Sequence, residues 1–257
     1  MTDQMKRFGL IGHPIEHSLS PALFKAGYAG RYPYELIQTA DFEEAYRRFL
    51  EGYDGINVTA PFKELALDKA DIISEECRLT GAANILIKTR QGITAYNSDF
   101  RGLRRLLSGK GSLSQRTHVL IVGWGGASKA AKAAAESLGF ETLVINRTRY
   151  SSDIRPLSEF KEHFLKADIV IYNLPVKIEE IDKLTKEELS GCRRKVILEA
   201  NYRNPSFEKA LIENWRRLNP EIEFIDGRAW LLAQAITGYE IFTGELPDCD
   251  AMSRELI

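Results

Sequence analysis

His118-Val-Leu-Ile-Val-Gly-Trp-Gly-Gly-Ala-Ser-Lys-Ala130 is the stretch whose reading decides the fold. Val119 to Val122 form an apolar, mostly β-branched run of the kind buried in a parallel sheet. Gly123 then permits a sharp turn, and Gly125 lets the backbone come close to a diphosphate. Gly126, Ala127 and Ser128 open a segment of helical composition, Ala127 to Leu138, whose unspent N–H groups and dipole favour negative charge. A small residue at Ser128 or Ala130 lets this helix pack on the strand. Glycines spaced in this way also occur in turns that bind nothing; the flanking strand and helix are what make this a dinucleotide-binding turn.

The next strand, Thr142 to Asn146, ends in Asn146-Arg147-Thr148-Arg149, where an enzyme selective for NAD carries an acid to hold the ribose hydroxyl. A cationic fork beside a hydroxyl suits a 2′-phosphate instead, so NADP is the expected cofactor. The plainer alternative is a solvated arginine at a strand end. Further strands at Ile169 to Asn173, at Val196 to Ala200 and near Phe224, with helical segments between them, complete a doubly wound Rossmann-type domain.

The preceding hundred residues alternate differently. Phe8 to Ile11, Tyr34 to Thr39 and Gly55 to Val58 read as strands, with an amphipathic helix from Phe42 to Leu50. Ser20 fits the N-cap, and Pro21 the first position, of an early helix. A helix is expected from about Phe62 to Ala70. Asn84 to Lys88 and Ile93 to Tyr96 form a hairpin around Gln91-Gly92, so this sheet is mixed. Phe100, Leu103, Leu106 and Leu107 place a helix at Asp99 to Leu107, followed by the linker-like Ser108-Gly-Lys-Gly-Ser112. A last helix, Arg228 to about Phe242, is too apolar on one side to be a tail and should pack back on the first domain. The expected division is 1–101 with 228–257 as a mixed-sheet α/β substrate domain, and 102–227 as the cofactor domain.

At 257 residues the chain can build two cores, and a net charge of −1 with no dense basic block argues against a nucleic acid partner. No apolar run approaches the roughly 20 residues that span a bilayer, and Met1-Thr-Asp-Gln-Met-Lys-Arg leads straight into a strand, so a cytoplasmic protein without a membrane partner is expected. Cys77, Cys192 and Cys249 form no C-x-x-C and, with four scattered histidines, offer no metal-ligand spacing. Buried free thiols are expected, and no metal.

Three polar clusters fall where strands give way to helices, the rim at which open α/β sheets bind ligands. His17-Ser18-Leu-Ser20-Pro21 offers two hydroxyls at a helix start suited to a carboxylate, though simple N-capping would also explain Ser20. Asn57-Val-Thr59-Ala-Pro61-Phe-Lys63 places an amide, a hydroxyl and an ammonium within one turn of a strand end, although most lysines are merely solvated. Asn84 and Asn97-Ser98-Asp99 form the third cluster, in which Asp99 also suits a helix N-cap.

In order and spacing these clusters resemble the shikimate dehydrogenase family over nearly the whole chain. Gly12-His-Pro-Ile-Glu-His-Ser18-Leu-Ser20-Pro21 resembles G-N-P-I-x-H-S-x-S-P, and Asn57 to Lys63 resembles N-V-T-x-P-x-K. Gly81-Ala-x-Asn84 and Asn97-Ser-Asp99-x-x-Gly102 resemble G-A-x-N-T and N-T-D-x-x-G; Gln234 with Thr243-Gly244 resembles the closing Q…W-T-G. The resemblance implies NADP-dependent, reversible reduction of 3-dehydroshikimate to shikimate by a monomer or homodimer. Lys63 and Asp99 would be the proton-transfer pair. Ser18, Ser20 and Tyr202 would hold the carboxylate, and Thr59, Asn84, Asp99 and Gln234 the ring hydroxyls. Gly123, Gly125, Gly126, Ala127, Ser128, Asn146, Arg147, Thr148 and Gly227 would serve the cofactor.

The chain departs from the family pattern at His13, Ile85, Ser98 and Glu199, and on the cofactor side at Trp124, Leu174-Pro175 and Trp230. The two indoles would either alter cofactor placement or fill core gaps. A quinate-using paralogue and a catalytically idle nucleotide-binding regulator are the rival readings. An intact Lys63 and Asp99 argue against the second, and a folate-linked dehydrogenase of similar architecture would lack the paired serines.

Overall fold

The computed structural model describes residues 5–111, 116–148 and 150–256. Arg149 of the cationic fork, Ser112 at the end of the linker and residues 1–4 lie outside the described residues. The chain divides into two compact units, one built from residues 1–102 and 232–257 and the other from 103–231.

In chain order the first unit contains β1 (Phe8–Gly12), α1 (Ser20–Gly27), β2 (Tyr34–Gln38), α2 (Phe42–Gly52), β3 (Gly55–Val58), α3 (Lys63–Asp68), β4 (Ile72–Ile73), α4 (Glu75–Thr80), β5 (Ile85–Thr89) and β6 (Gly92–Tyr96). α5 (Ser98–Leu107) leads out of it. Its sheet runs β2-β1-β3-β5-β6-β4, with β1 parallel to β2 and β3 and the hairpin strand β5 antiparallel to β3 and β6. The mixed sheet follows from the tight Arg90-Gln91 connection, one residue before the expected Gln91-Gly92, since a two-residue connection can join only antiparallel neighbours. The two-residue strand β4 and the helix α4 carry too little periodicity to be read from sequence.

Two expected caps are corrected. α1 begins at Ser20 itself, without a capping side chain, and it is the Ser18 hydroxyl that accepts the Ser20 N–H at 3.2 Å. In α5 the cap is Asn97, whose Oδ1 accepts the Phe100 N–H at 3.1 Å, so Asp99 sits inside the first turn with its carboxylate available for another partner. Among the cysteines only Cys77 is buried; Cys192 and Cys249 are half-buried.

The second unit contains β7 (His118–Val122), α6 (Gly126–Ser137), β8 (Glu141–Asn146), β9 (Ile154–Pro156), α7 (Phe160–Lys166), β10 (Ile169–Tyr172), α8 (Lys186–Gly191), β11 (Lys195–Glu199), α9 (Lys209–Leu218) and β12 (Ile222–Ile225). α10 (Gly227–Thr243) runs from this unit into the first, where α11 (Cys249–Arg254) follows. Every strand pair is parallel, and the order β12-β11-β10-β7-β8-β9 reverses at β7, the topology of a Rossmann sheet. Phe160, Phe164, Tyr172, Phe207 and Trp215 fill one core beside this sheet. No helix among the described residues is long and apolar enough to cross a membrane.

Lys195 is wholly buried at the start of β11. Its ammonium donates to the Phe164 carbonyl at 2.7 Å and to the Ala167 carbonyl, at the C-terminal end of α7, and lies 4.8 Å over the Phe164 ring. Burial pulls its pKa from 10.5 down to about 8. The unfolded chain therefore holds more protons than the folded one between pH 8 and 10.5, and stability rises with pH across that window. Below it the cost of burying the charge is present in full. Comparing Lys195→Met with the parent isolates this contribution from the phenols: the variant should lose a pH-dependent rise of about 3 kcal/mol. Urea unfolding at stepped pH measures it, and parallel profiles for the two proteins would refute it.

Candidate active site

The polar clusters of the first unit meet along the ends of β1, β3 and β5. Gly12 closes β1 where Thr59 leaves β3: a Cβ at Gly12 would stand 2.3 Å from Thr59 Cγ2 and 2.7 Å from Ile15 Cγ2. Only glycine fits at this contact, which sets the serine turn beside the Thr59 turn. The serine turn is pinned from β2, where Gln38 accepts the Ile15 N–H at 3.0 Å and donates to Glu16 at 2.6 Å. Ser18 and Ser20 are both half-buried.

Lys63 opens α3 and Asp99 lies in the first turn of α5, on different elements 36 residues apart. Their side chains meet, Nζ to Oδ2, at 2.6 Å, with 22% and 18% of each exposed. That is open enough for a ligand to reach and closed enough to strengthen the pairing over one in water.

Beneath them lies a hydrogen-bonded belt of buried amides and hydroxyls. Tyr34 donates to Asn57 Oδ1 at 2.7 Å, and Asn57 Nδ2 reaches the Asn84 carbonyl at 3.4 Å. Asn84 Oδ1 accepts the Ser98 N–H at 2.7 Å, Asn84 Nδ2 donates to Ser98 Oγ at 3.0 Å, and Ser98 Oγ donates to Gln234 Oε1 at 3.1 Å. Gln234 arrives on α10, which touches α5 backbone to backbone: a Cβ at Gly102 would lie 2.5 Å from the Gln234 nitrogen. Tyr239, one turn further along α10, donates to the Ser20 carbonyl at 3.1 Å. Burial pushes the Tyr34 and Tyr239 phenols well above their ordinary range, so both remain protonated donors.

Thus Ser18, Ser20, Thr59, Lys63, Asn84, Asp99 and Gln234 all belong to the first unit. Tyr202 does not. It lies half-buried in the loop after β11 in the second unit, with the Arg203 guanidinium 5.7 Å over its ring. That loop is anchored by Glu199, fully buried, whose carboxylate accepts the Ser206 and Phe207 N–H groups at 2.5 and 3.1 Å. Sequence reasoning placed Asn57 and Ser98 in polar clusters without giving either a role, and missed Tyr34 and Tyr239 as site-forming residues. Ser98 and Asn57 lie inside the quoted motifs, but the two tyrosines are marked by nothing more than an aromatic residue in an apolar run.

In the second unit the glycine turn leaves its backbone open. Gly123 adopts φ +106°, a conformation that side chains rarely take. Gly125 caps α6 with no side-chain acceptor for its first N–H groups, and Cβ atoms at Gly125 or Gly126 would meet nothing within 4 Å. Internal packing leaves these two positions open, which suits a ligand lying against the backbone. Ser128 Oγ and both side-chain polar atoms of Asn173, sealed from solvent, have no hydrogen-bond partner among the described residues. Ser128 and Asn173 flank Gly123. The donor set therefore fits a dinucleotide diphosphate.

Ala127 follows in the first turn of α6, and Asn146 pins the turn after β8 by donating to the Thr148 carbonyl at 2.9 Å. Arg147 and Thr148 are left exposed. Gly227 is buried against the end of β11, where a Cβ would fall 2.5 Å from the Ala200 carbonyl oxygen; it is required there for packing. Trp230 is buried at 5% exposure, whereas Trp124 is half-buried in the glycine turn.

Known proteins share this architecture. A solved structure of shikimate dehydrogenase from Thermus thermophilus in complex with NADP(H) and shikimate superposes with a TM-score of 0.78, at 26% identity and with 98% of each chain covered. Quinate dehydrogenase from Corynebacterium glutamicum in complex with NAD superposes at 0.80 over 98% of each chain, but at 22% identity it shows the shared fold alone. Residues 10–86 match the family model described as the shikimate dehydrogenase substrate binding domain. A shikimate dehydrogenase (NADP(+)) from Caldanaerobacter subterraneus subsp. tengcongensis is 31% identical across 95% of this chain and 94% of its own. At that identity and coverage, the chain belongs to the shikimate dehydrogenase family.

Proposed function

We propose that the protein is an NADP-dependent shikimate dehydrogenase that interconverts 3-dehydroshikimate and shikimate, with Lys63 and Asp99 as its proton-transfer pair. The observation that carries this reading is the 2.6 Å contact between the Lys63 ammonium and the Asp99 carboxylate at the strand-end rim, amid hydroxyls and amides. NADP supplies the hydride chemistry when bound. The protein's part is to hold the ring and to manage one proton.

In the reduction direction, negative charge grows on the ketone oxygen. An ammonium facing that oxygen stabilises the charge and donates the proton, while the neighbouring carboxylate holds the ammonium in direction. In the oxidation direction the same pair accepts the hydroxyl proton. The serine hydroxyls of the first turn donate to the substrate carboxylate, with Tyr202 from the second unit as a further donor. Thr59, Asn84, Asp99 and Gln234 fix the ring hydroxyls by directional bonds. The residues of the first unit thus form the substrate domain and those around Gly123 the cofactor domain. The reading extends to a cytoplasmic monomer or homodimer, consistent with three cysteines outside any disulfide.

The test is nicotinamide absorbance with purified protein, shikimate or quinate, and NADP or NAD, in all four combinations. Turnover is expected with shikimate and NADP. Turnover only with quinate would move the protein to a different substrate, and none in any combination would leave the idle-regulator reading.

A further inference from the structure

We propose that Ser98 is a positioning residue that sets the hydrogen-bonding direction of two substrate-facing amides, Asn84 and Gln234, from one backbone N–H. The inference rests on the substrate-site reading above for those two residues. It begins with a donor that has no alternative. The Ser98 N–H is the first of α5 and, like every N–H in the opening turn of a helix, has no partner within its own helix. It donates to Asn84 Oδ1 at 2.7 Å. An amide oxygen must therefore face it, and the Asn84 side chain cannot be flipped.

With Oδ1 fixed, Asn84 Nδ2 faces Ser98 Oγ at 3.0 Å and donates to it. The hydroxyl has one proton of its own, which goes to Gln234 Oε1 at 3.1 Å. Gln234 is thereby fixed too, its oxygen turned toward Ser98 and its Nε2 group left to donate elsewhere. The Ser98–Asn84 end is shielded, with Ser98 0% exposed and Asn84 5%, so water cannot substitute for a missing partner there. α10 contributes by carrying no side chain at Gly238, where a Cβ would stand 3.2 Å from Ser98 Oγ.

The consequence is a polarity imposed on the substrate. Gln234 presents a donor and Asp99 an acceptor, so a ring hydroxyl meeting both must accept from the amide and give its proton to the carboxylate. Removing the Ser98 hydroxyl leaves Asn84 held by the Ser98 N–H but without an acceptor for its Nδ2, and frees the Gln234 amide to rotate, so that ordering it again falls on substrate binding.

Ser98→Ala should therefore raise KM for shikimate about tenfold and change kcat by no more than about threefold, with KM for NADP unaltered. Ser98→Thr keeps the same donor and acceptor and should restore KM to within about twofold of the parent. In a Gln234→Leu background, Ser98→Ala should cost less than about threefold more, because the amide that the hydroxyl orients is absent. Thermal melting of every variant accompanies the kinetics. Ser98→Ala with unchanged KM and a lowered melting temperature would overturn the relay in favour of a purely structural hydroxyl. Full additivity of the two substitutions would also overturn it. A Gln234→Leu variant with parental KM would instead remove the reading on which the relay rests, and the relay with it.

Discussion

Lys63→Ala lowers kcat for shikimate oxidation by about 10²-fold or more, with a smaller change in KM. The expectation follows from position. The ammonium sits 2.6 Å from Asp99 at the head of α3, where its main chain is tied down by the Ala83 N–H donating to the Lys63 carbonyl at 2.9 Å. It is only one-fifth exposed, so few other donors can take its place. A group that meets charge developing in the transition state contributes to the barrier, while one that merely holds the ground state contributes to KM. Asp99→Asn should impair both constants, since the carboxylate both directs Lys63 and accepts a bond from the ring. Steady-state kinetics of the two variants separates the roles. Near-parental kcat in Lys63→Ala would demote the lysine to a binding residue.

The second large effect concerns the cofactor. Arg147→Ala should lower kcat/KM with NADP by about ten- to a hundredfold, the value of charge-assisted bonds to a phosphate, and leave the NAD value nearly unchanged. Asn146 is buried and holds the turn after β8 through the Thr148 carbonyl, which leaves the Arg147 and Thr148 side chains in solvent. That turn adjoins the glycine turn, because the Gly123 N–H donates to the Ile145 carbonyl at 2.8 Å. Fluorescence titration with NADP and with NAD, which lacks the 2′-phosphate, checks the difference without turnover. Equal efficiency with the two cofactors in the parent, or a variant that keeps its preference, would reject the assignment.

Much of this is legible in the amino-acid sequence. Apolar runs such as Val119 to Val122, ended by glycine, declare buried parallel strands because both sheet faces are covered. The Gln91-Gly92 turn declares the hairpin and so the mixed sheet. The caps were misplaced by two residues because several small polar side chains in a row can each serve: Ser18 and Ser20 compete in one turn, Asn97, Ser98 and Asp99 in the other. Only the fold decides which oxygen lands over a free N–H. Tyr34 and Tyr239 could not be told from ordinary core aromatics, since their hydroxyl partners, Asn57 and the Ser20 carbonyl, lie far away in sequence. Lys195 was equally hidden. A lysine at a strand start reads as solvated, and nothing local reveals that the carbonyls of Phe164 and Ala167 will receive it.

The division of the first unit between the two ends of the chain imposes an order on synthesis. Phe8 stacks on Phe242 at 5.0 Å, Phe24 meets Tyr239 at 4.8 Å, and Gly55 leaves the slot that Phe242 occupies. Until the ribosome has added residues 232–257, those rings on the amino-terminal hundred residues lack the cover that Tyr239 and Phe242 give, although every residue of the intervening unit has by then been made. The nascent protein must therefore hold an unfinished aromatic surface through the synthesis of an entire Rossmann sheet, a period in which a chaperone has something to grip. A messenger truncated between Leu231 and Phe242 would yield a chain with its cofactor half complete and its aromatic seam open, a natural mark for degradation.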